Sequence, residues 1–292
     1  MSDALKYKLH IEKRPLPPAF IICMLLALAL CMAAVPAWKH SLDARGIQWK
    51  SQSSFYSSLG RAYAAHRHAG EYDTSFLGSS ITGRIPGLES GFNRWANLGI
   101  DASSAEEGVR LMLADITPVT PYVVLEADTL FLHMKPVSKK PAEDFGDSVL
   151  YRLPCFNPMM RLSTLLWTDL RHQRFNIQDS EPYQLKPLTD SEPIGKPDSW
   201  SERDEQVLQD LKKLQAEKGV RLLPVLFPNK HRKSDSWRKD KMLYLAQSLG
   251  VSYLDLNEQI DPAEPISFSD SVHMYCQYAL RVAATIYQEL HR

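Results

Sequence analysis

The sequence predicts an α/β fold, in which a mainly parallel sheet has helices on both faces in a three-layer α/β/α arrangement, preceded by one N-terminal transmembrane helix. Two observations support this prediction. An uncharged apolar run of about 17 residues covers Ala19–Val35, which is close to the length needed to cross a bilayer. Beyond it, short apolar strands alternate with amphipathic helices, a pattern typical of a parallel sheet. A chain of 292 residues can hold one large domain or two small ones.

The segment around the apolar run predicts a single-pass protein of the inner (cytoplasmic) membrane. Residues 1–18 form a cytoplasmic tail with four basic residues, and residues 19–37 form the transmembrane helix or signal anchor. After the run, Lys39 and Arg45 are offset by Asp43. This charge bias places the N-terminus in the cytoplasm and the main domain in the periplasm or outside the cell. Two alternatives remain open: a buried core helix, and a signal peptide cleaved after Val35-Pro36-Ala37.

The rest of the chain divides into a juxtamembrane stalk over residues 38–71 and a domain over residues 72–292. Within the domain we predict strands at residues 72–77, 95–98, 122–125, 220–227 and 251–256, and helices at residues 103–116, 202–218, 237–249 and 275–290. Ser103 and Ser104, three residues before Glu106 and Glu107, form a capping-box signal for the first of these helices.

An insertion interrupts this alternation at about residues 131–200, a stretch rich in Pro, Asp, Glu and Ser. It contains one apolar helix candidate, Pro158–Leu170. This helix can cap the site, lie on the membrane or on a partner, or pack on the core.

Composition limits the classes of partner. Lys plus Arg number 34, as do Asp plus Glu, so the chain has no basic excess to neutralise phosphates. We therefore expect no nucleic-acid partner. The nine histidines are scattered without zinc-ligand spacing, so we predict no metal and no cofactor. Cys155 and Cys276, the two cysteines outside the apolar run, either pair in an oxidising compartment or are buried thiols.

Two separated motifs indicate serine chemistry. Gly78-Ser79-Ser80 follows the first strand of the domain, at the sheet edge where ligands bind in open α/β folds. Asp270-Ser271-Val272-His273 follows the last strand. A serine hydroxyl is a poor nucleophile until a base takes its proton. His273 can serve as that base, while the Asp270 carboxylate fixes its tautomer and balances its charge.

The order of these motifs resembles the SGNH hydrolase superfamily, whose nucleophile lies in a first Gly-Asp-Ser block and whose Asp-x-x-His lies near the C-terminus. The resemblance covers about residues 72–290 without the insertion, and implies a flavodoxin-like fold. Asn97-Leu98-Gly99-Ile100-Asp101 is similar to the second block of the family. Carried over by position, the resemblance makes Ser80 the nucleophile, His273 the base, Asp270 its partner and Gly99 an oxyanion donor.

Two departures from the family pattern affect the oxyanion hole. Ser79 replaces the aspartate that usually precedes the nucleophile, and the third strand ends Glu126-Ala127-Asp128-Thr129 without the usual asparagine. An ionised Asp128 cannot donate a hydrogen bond, whereas Thr129 can. Either Thr129 is the second oxyanion donor or the oxyanion hole is incomplete. Ser79, Asp128 and Arg84 are candidates for substrate contact.

A Gly-Ser-Ser block behind an N-terminal membrane helix resembles the proteins of cell-surface polymer acylation, such as the D-alanyl transfer protein of teichoic acids and the alginate and cellulose O-acetylation proteins. The resemblance implies an O-acyltransferase or esterase acting on an exported polysaccharide beside a membrane-bound O-acyltransferase. Two alternatives remain: a catalytically inactive subunit that binds glycan or scaffolds a complex, and an unrelated anchored α/β domain.

Overall fold

The computed structural model describes residues 17–134, 145–146, 157–176, 180–187 and 193–292. Its centre is a parallel sheet of five strands in the order β2-β1-β3-β4-β5. The strands are β1 Thr74–Leu77, β2 Ala96–Asn97, β3 Tyr122–Glu126, β4 Arg221–Leu226 and β5 Leu254–Asp255. The predicted α/β class with a parallel sheet is therefore confirmed.

The described helices are α1 Pro18–Ala44, α2 Ser54–Arg67, α3 Ala105–Leu113, α4 Ala127–Leu130, α5 Leu162–Leu170, α6 Glu202–Lys218, α7 Ser236–Leu249, α8 Leu256–Gln259 and α9 Cys276–Leu290. Helix α6 begins with a capping box formed by Ser201 and Asp204, and it ends at Gly219, which takes the left-handed conformation at φ 66°. The helix predicted at residues 202–218 is confirmed.

The start of α3 differs from its sequence signal. Ser104 is the N-cap residue, but its side chain makes no capping hydrogen bond. With Ser104 as the N-cap residue, the capping-box partner would be Glu107, while Glu106 pairs with Arg110 and Arg203. The helix nevertheless begins where the serines predicted.

Side chains of the central strands alternate between two apolar clusters, as the twofold periodicity of a strand requires. Val123 and Leu125 of β3 pack in a cluster with residues of α3 and α6. Val124, between them, packs in the other cluster with residues of α9. The all-parallel pairing brings the carboxyl ends of β1, β3 and β4 to one edge of the sheet.

Helix α1 is long and apolar enough to cross a membrane. Its most apolar 18-residue window has a mean hydropathy of 2.6, and none of that window is buried against the protein. The helix continues through Pro36 to Ala44, and Lys39 and Leu42 near its end are buried in the domain. One unbroken helix therefore joins the apolar segment to the folded domain.

The segment predicted as a stalk packs into the domain. Trp49 and, on α2, Tyr63, Ala64 and Ala65 are buried in the larger apolar cluster. Their burial makes residues 47–67 part of the folded domain rather than a separate spacer, because α2 presents its small and aromatic side chains to the core.

Part of the predicted insertion, including Cys155, lies outside the described residues. The apolar helix expected at Pro158–Leu170 is present as a short 3-10 turn, Pro158–Met160, followed by α5. Cys276 is a free, buried thiol whose Sγ lies 3.1 Å from the Arg174 carbonyl oxygen.

Candidate catalytic site

Ser80, His273 and Asp270 form a continuous hydrogen-bonded chain, although 193 positions separate the serine from the histidine. Ser80 Oγ lies 2.8 Å from His273 Nε2. His273 Nδ1 lies 2.7 Å from Asp270 Oδ2. Both distances are within the normal hydrogen-bond range. The structure thus brings together the three residues that the sequence assigned to a catalytic triad.

The environment of Asp270 fixes the tautomer of the histidine. Burial acts to raise the pKa of Asp270, but hydrogen bonds from the His273 and Val272 N–H groups and from the His273 ring outweigh it and lower the pKa to about 2. The carboxyl group is therefore ionised at neutral pH and only accepts hydrogen bonds. Nδ1 of His273 must carry the proton, which leaves Nε2 free to accept the Ser80 O–H.

A closed loop holds Asp270 and His273 at this position. Phe268 and Met274 form an isolated antiparallel bridge at its base. Inside the loop, the Ser269 N–H donates to the His273 carbonyl at 2.8 Å, and the Lys230 N–H, from the loop after β4, donates to the Ser271 carbonyl at 2.9 Å. The His273 ring and the Asp270 carboxylate are thus supported by backbone hydrogen bonds within the loop and from a neighbouring loop.

A buried carboxyl group organises the loop that carries Ser80. Glu126, at the end of β3, is fully buried. It accepts hydrogen bonds from the N–H and hydroxyl of Ser79 (2.9 and 2.6 Å), from the N–H and hydroxyl of Thr82 (3.0 and 2.6 Å), and from the Thr129 hydroxyl (2.7 Å). These bonds tie the residues on both sides of Ser80 to the edge of the sheet.

Glu126 is a site residue that the sequence analysis did not assign. Its only signal is an acidic residue that ends an otherwise apolar strand, Tyr122–Glu126, next to polar residues. A buried carboxyl group needs hydrogen-bond partners, and the loop that carries Ser80 supplies most of them through Ser79 and Thr82. The carboxyl group beside that loop therefore comes from the end of β3.

Gly99 lies close to the nucleophile loop, but its N–H is already used. It donates to Asn97 Oδ1 at 2.9 Å, and the Gly99 carbonyl accepts from Arg61 Nε at 2.8 Å. A side chain at Gly99 would lie 2.9 Å from the Ser79 carbonyl oxygen. In this structure Gly99 therefore allows close backbone packing, and its N–H does not face an open oxyanion position.

The Thr129 hydroxyl is also engaged, because it donates to Glu126. Hydroxyl and backbone groups of Ser79 bind the same carboxyl group, so the polar atoms of both residues support the loop. Arg84 lies in a 3-10 turn after Ser80 and does not line the cavity described below. Within the described part of the chain, the Ser80 N–H has no hydrogen-bond partner, so it is a donor available beside the nucleophile oxygen.

The environment of Asp128 changes the protonation state that the sequence analysis assumed for it. Burial raises the pKa of Asp128 to about 8, and the charges of Glu126 and Asp255 act in the same direction, while the Phe227 N–H and Arg238 oppose them. The Phe227 N–H donates to Asp128 Oδ2 at 2.7 Å. At neutral pH the carboxyl group is mostly protonated, so it can donate a hydrogen bond that an ionised Asp128 cannot.

A cavity of about 260 Å³ opens beside Ser80 and His273. Asp128 and Thr129 line one part of it, and Arg238 is a cation at its wall. Much of the remaining wall is apolar, with Ile81, Leu132, Met134, Phe227, Pro228 and Val272. The cavity is small and largely apolar, which suits a short acyl group next to the hydroxyl.

No protein-family model, curated protein or solved structure matches this chain.

Proposed function

We propose that this chain is a serine-dependent O-acyltransferase or esterase whose α1 anchors it in a membrane. The observation that carries the proposal is the Ser80–His273–Asp270 chain of hydrogen bonds at 2.8 and 2.7 Å. A nucleophile, a base and a carboxylate in this arrangement are the components of acyl transfer. The adjoining apolar cavity supports a short acyl group as the transferred unit.

In the proposed reaction, Ser80 Oγ attacks the acyl carbonyl carbon while its proton moves to His273 Nε2. The carbonyl oxygen becomes an oxyanion, for which the Ser80 N–H and protonated Asp128 are candidate donors. Collapse of this intermediate breaks the bond to the leaving group, which takes the proton from His273. An acceptor hydroxyl, or water, then attacks the acyl-serine with His273 again removing the proton, and Ser80 is regenerated.

The acceptor and the partner in this proposal come from the resemblance to SGNH-type proteins of polymer acylation. We propose an exported cell-surface polysaccharide as the acceptor and a membrane-bound O-acyltransferase as the partner. The proposal includes a three-layer α/β/α arrangement, which the two apolar clusters support, and a domain outside the cytoplasm, which the flanking charges support.

One observation favours a second candidate, an inactive glycan-binding or scaffold subunit. Both sequence-predicted oxyanion donors, the Gly99 N–H and the Thr129 hydroxyl, already donate to protein acceptors. Loss of one oxyanion donor typically lowers the rate about 100- to 1000-fold. A protein of this kind would retain the triad geometry without significant turnover.

Labelling with a serine-reactive fluorophosphonate separates the two candidates. We expect the full-length protein to be labelled, and Ser80→Ala to remove the label because the reacting oxygen is gone. His273→Ala is expected to reduce labelling by a similar factor, because triad members act as a unit.

Ser271→Ala is the matched control, since Ser271 is an exposed serine of the same loop. It should be labelled like the unchanged protein. An unlabelled but folded protein that still binds glycan would support the inactive subunit, and normal labelling of His273→Ala would exclude the triad.

A further inference from the structure

Helix α5 has its polar and apolar faces reversed for a helix in water. Thr164 and Thr168 are buried beside Leu165. Leu162, Leu166 and Leu170 are 56%, 51% and 70% exposed. A helix on the surface of a soluble domain normally buries its leucines and exposes its polar residues. The outward face of α5 therefore fits a non-aqueous environment better than water.

The three exposed leucines follow one another at intervals of four residues and form a leucine stripe about 12 Å long. Outside α1, the described part of the chain exposes only two other large apolar side chains, Leu132 and Tyr275. Leu132 lines the cavity beside Ser80. The leucine stripe is thus a concentration of apolar surface on one short helix.

Helix α5 is fixed to the end of α1. Leu165 is buried against Leu42 and Ile47, and Val35 and Trp38 pack at the margin of this cluster. Asp169 Oδ2 accepts from Trp38 Nε1 at 3.3 Å, and Asp169 Oδ1 accepts from Arg45 at 3.1 Å. The stripe is therefore held beside the last turns of α1, which follow the apolar run.

The length of the apolar run brings this region to the bilayer surface. Seventeen helical residues from Ala19 to Val35 span about 26 Å, whereas the hydrocarbon core of a bilayer is about 30 Å thick. Val35 already contacts the domain. If α1 crosses a bilayer, the domain surface around Val35 lies at the boundary between headgroups and acyl chains.

The residues at the ends of α5 fit an anionic surface. Arg161, Arg171 and His172 flank the helix and are exposed. The Arg161 guanidinium lies 3.9 Å from the centre of the Tyr56 ring, and that of Arg171 lies 5.0 Å from the Trp167 ring. Basic and aromatic side chains around an apolar helix face are typical of interfacial membrane helices.

We propose that the leucine stripe of α5 lies in the interface of the same bilayer that α1 crosses, with its partner an anionic lipid surface. The proposal rests on the anchoring part of the proposed function and is independent of catalysis. The domain then has two attachments to the membrane, one through α1 and one through α5, and these fix its orientation.

The test is depth-dependent fluorescence quenching of the full-length protein in vesicles of phosphatidylethanolamine and phosphatidylglycerol. A genetically encoded fluorescent amino acid is placed in turn at Leu166, at Leu170, at Leu26 within the apolar run, and at Lys213, which is exposed on α6. Quenching by nitroxide-labelled lipid is compared with quenching by aqueous iodide. We expect at least about threefold more lipid quenching at Leu166 and Leu170 than at Lys213, with the reverse order for iodide.

The positions distinguish the possible failures. Lipid quenching at Leu26 but not at Leu166 or Leu170, with strong iodide quenching there, would show that the stripe faces water and would overturn this inference alone. Protection of the stripe from both quenchers would place it against protein and would also overturn it. No lipid quenching at Leu26 would overturn the anchor and the inference together. The two stripe positions ensure that misfolding of one variant does not decide the outcome.

Discussion

At the scale of single residues, the site depends on carboxyl groups in contrasting environments. Asp270 lies at the surface, receives two backbone N–H groups and is ionised. Asp128 lies in the cavity wall close to other acidic residues, and its pKa is raised. Two aspartates with pKa values pushed in opposite directions can take opposite roles, one as a permanent acceptor and one as a donor near neutral pH.

This contrast predicts a pH effect at Asp128. Because the folded-state pKa of Asp128 is about 8, the proton is bound below that pH and is lost as the pH rises through it. Hydrolysis of a small acyl ester should therefore fall on the alkaline side with a midpoint near 8. Asp128→Asn, which stays neutral, should remove this decline when rates are measured from about pH 6 to about pH 10.

The same substitution has a predicted effect on stability. The raised pKa means that the folded state loses stability as the pH rises from the unfolded value of about 4 to about 8. At pH 9 the free energy of unfolding of Asp128→Asn should therefore exceed that of the unchanged protein by about 1–3 kcal/mol, as measured by urea unfolding. If the hydrolysis rate of Asp128→Asn still fell at alkaline pH as in the unchanged protein, Asp128 would not be the hydrogen-bond donor.

At the scale of elements, the connection from β1 to the nucleophile requires a residue without a side chain at Gly78. A Cβ atom there would press against Thr82 Oγ1 and Glu126 Oε2, the atoms that organise the loop around Ser80. This close approach explains why the strand ends in glycine before the two serines.

Gly78→Ala is therefore expected to destabilise the protein by about 1–3 kcal/mol and to abolish fluorophosphonate labelling, because Thr82 and Glu126 must shift and their hydrogen bonds are disrupted. The measurements are urea unfolding and labelling of the full-length protein. Gly195→Ala is the matched control, since nothing lies within 4 Å of the added carbon. Equal stability and labelling of the two variants would show that the Gly78 contact has no consequence.

Sequence patterns predicted the elements well where one signal was sufficient. The predicted bounds of α6 match the structure, and α6 and α7 both end at a glycine in the left-handed conformation, Gly219 and Gly250. Strand β5 was predicted over six residues but covers only Leu254–Asp255, because sheet pairing depends on a neighbour that the local sequence does not specify. The same limit applies to α2, whose burial depends on contacts with residues far away in the chain.

The features of the site also separate into those that the sequence could predict and those that it could not. Ser80, Asp270 and His273 could be identified because short motifs mark them. The Glu126 hydrogen bonds, the use of the Gly99 N–H by Asn97 and the pKa of Asp128 arise from tertiary contacts. Ser79 and Thr82 lie in one segment and Glu126 and Thr129 in another, 44 or more positions away, so the sequence alone could not show that they meet.

At the scale of the whole molecule, α1 determines how the domain is attached. The helix continues without interruption through Val35, Pro36 and Ala37, and its next turns, with Lys39 and Leu42, are buried in the domain. A signal peptidase would have to cut within this helix. We therefore expect the apolar run to be retained.

Membrane fractionation tests this expectation. The protein should remain in the membrane pellet after an alkaline carbonate wash, at the full size of 33.2 kDa. Ala37→Leu, which removes the small residue that a signal peptidase needs, should leave the size unchanged. A soluble species about 4 kDa smaller in the unchanged protein, absent in Ala37→Leu, would instead show cleavage.

The continuity of α1 into the domain also determines how far Ser80 can travel. A flexible linker would let Ser80 sample a volume that increases with the number of linker residues. A single helix with its last turns embedded in the domain gives no such freedom, so Ser80 would stay at one height above the lipid. Under the proposed function, an acceptor polymer would have to come to Ser80, and only polymer chains that pass through that thin layer next to the membrane would be modified.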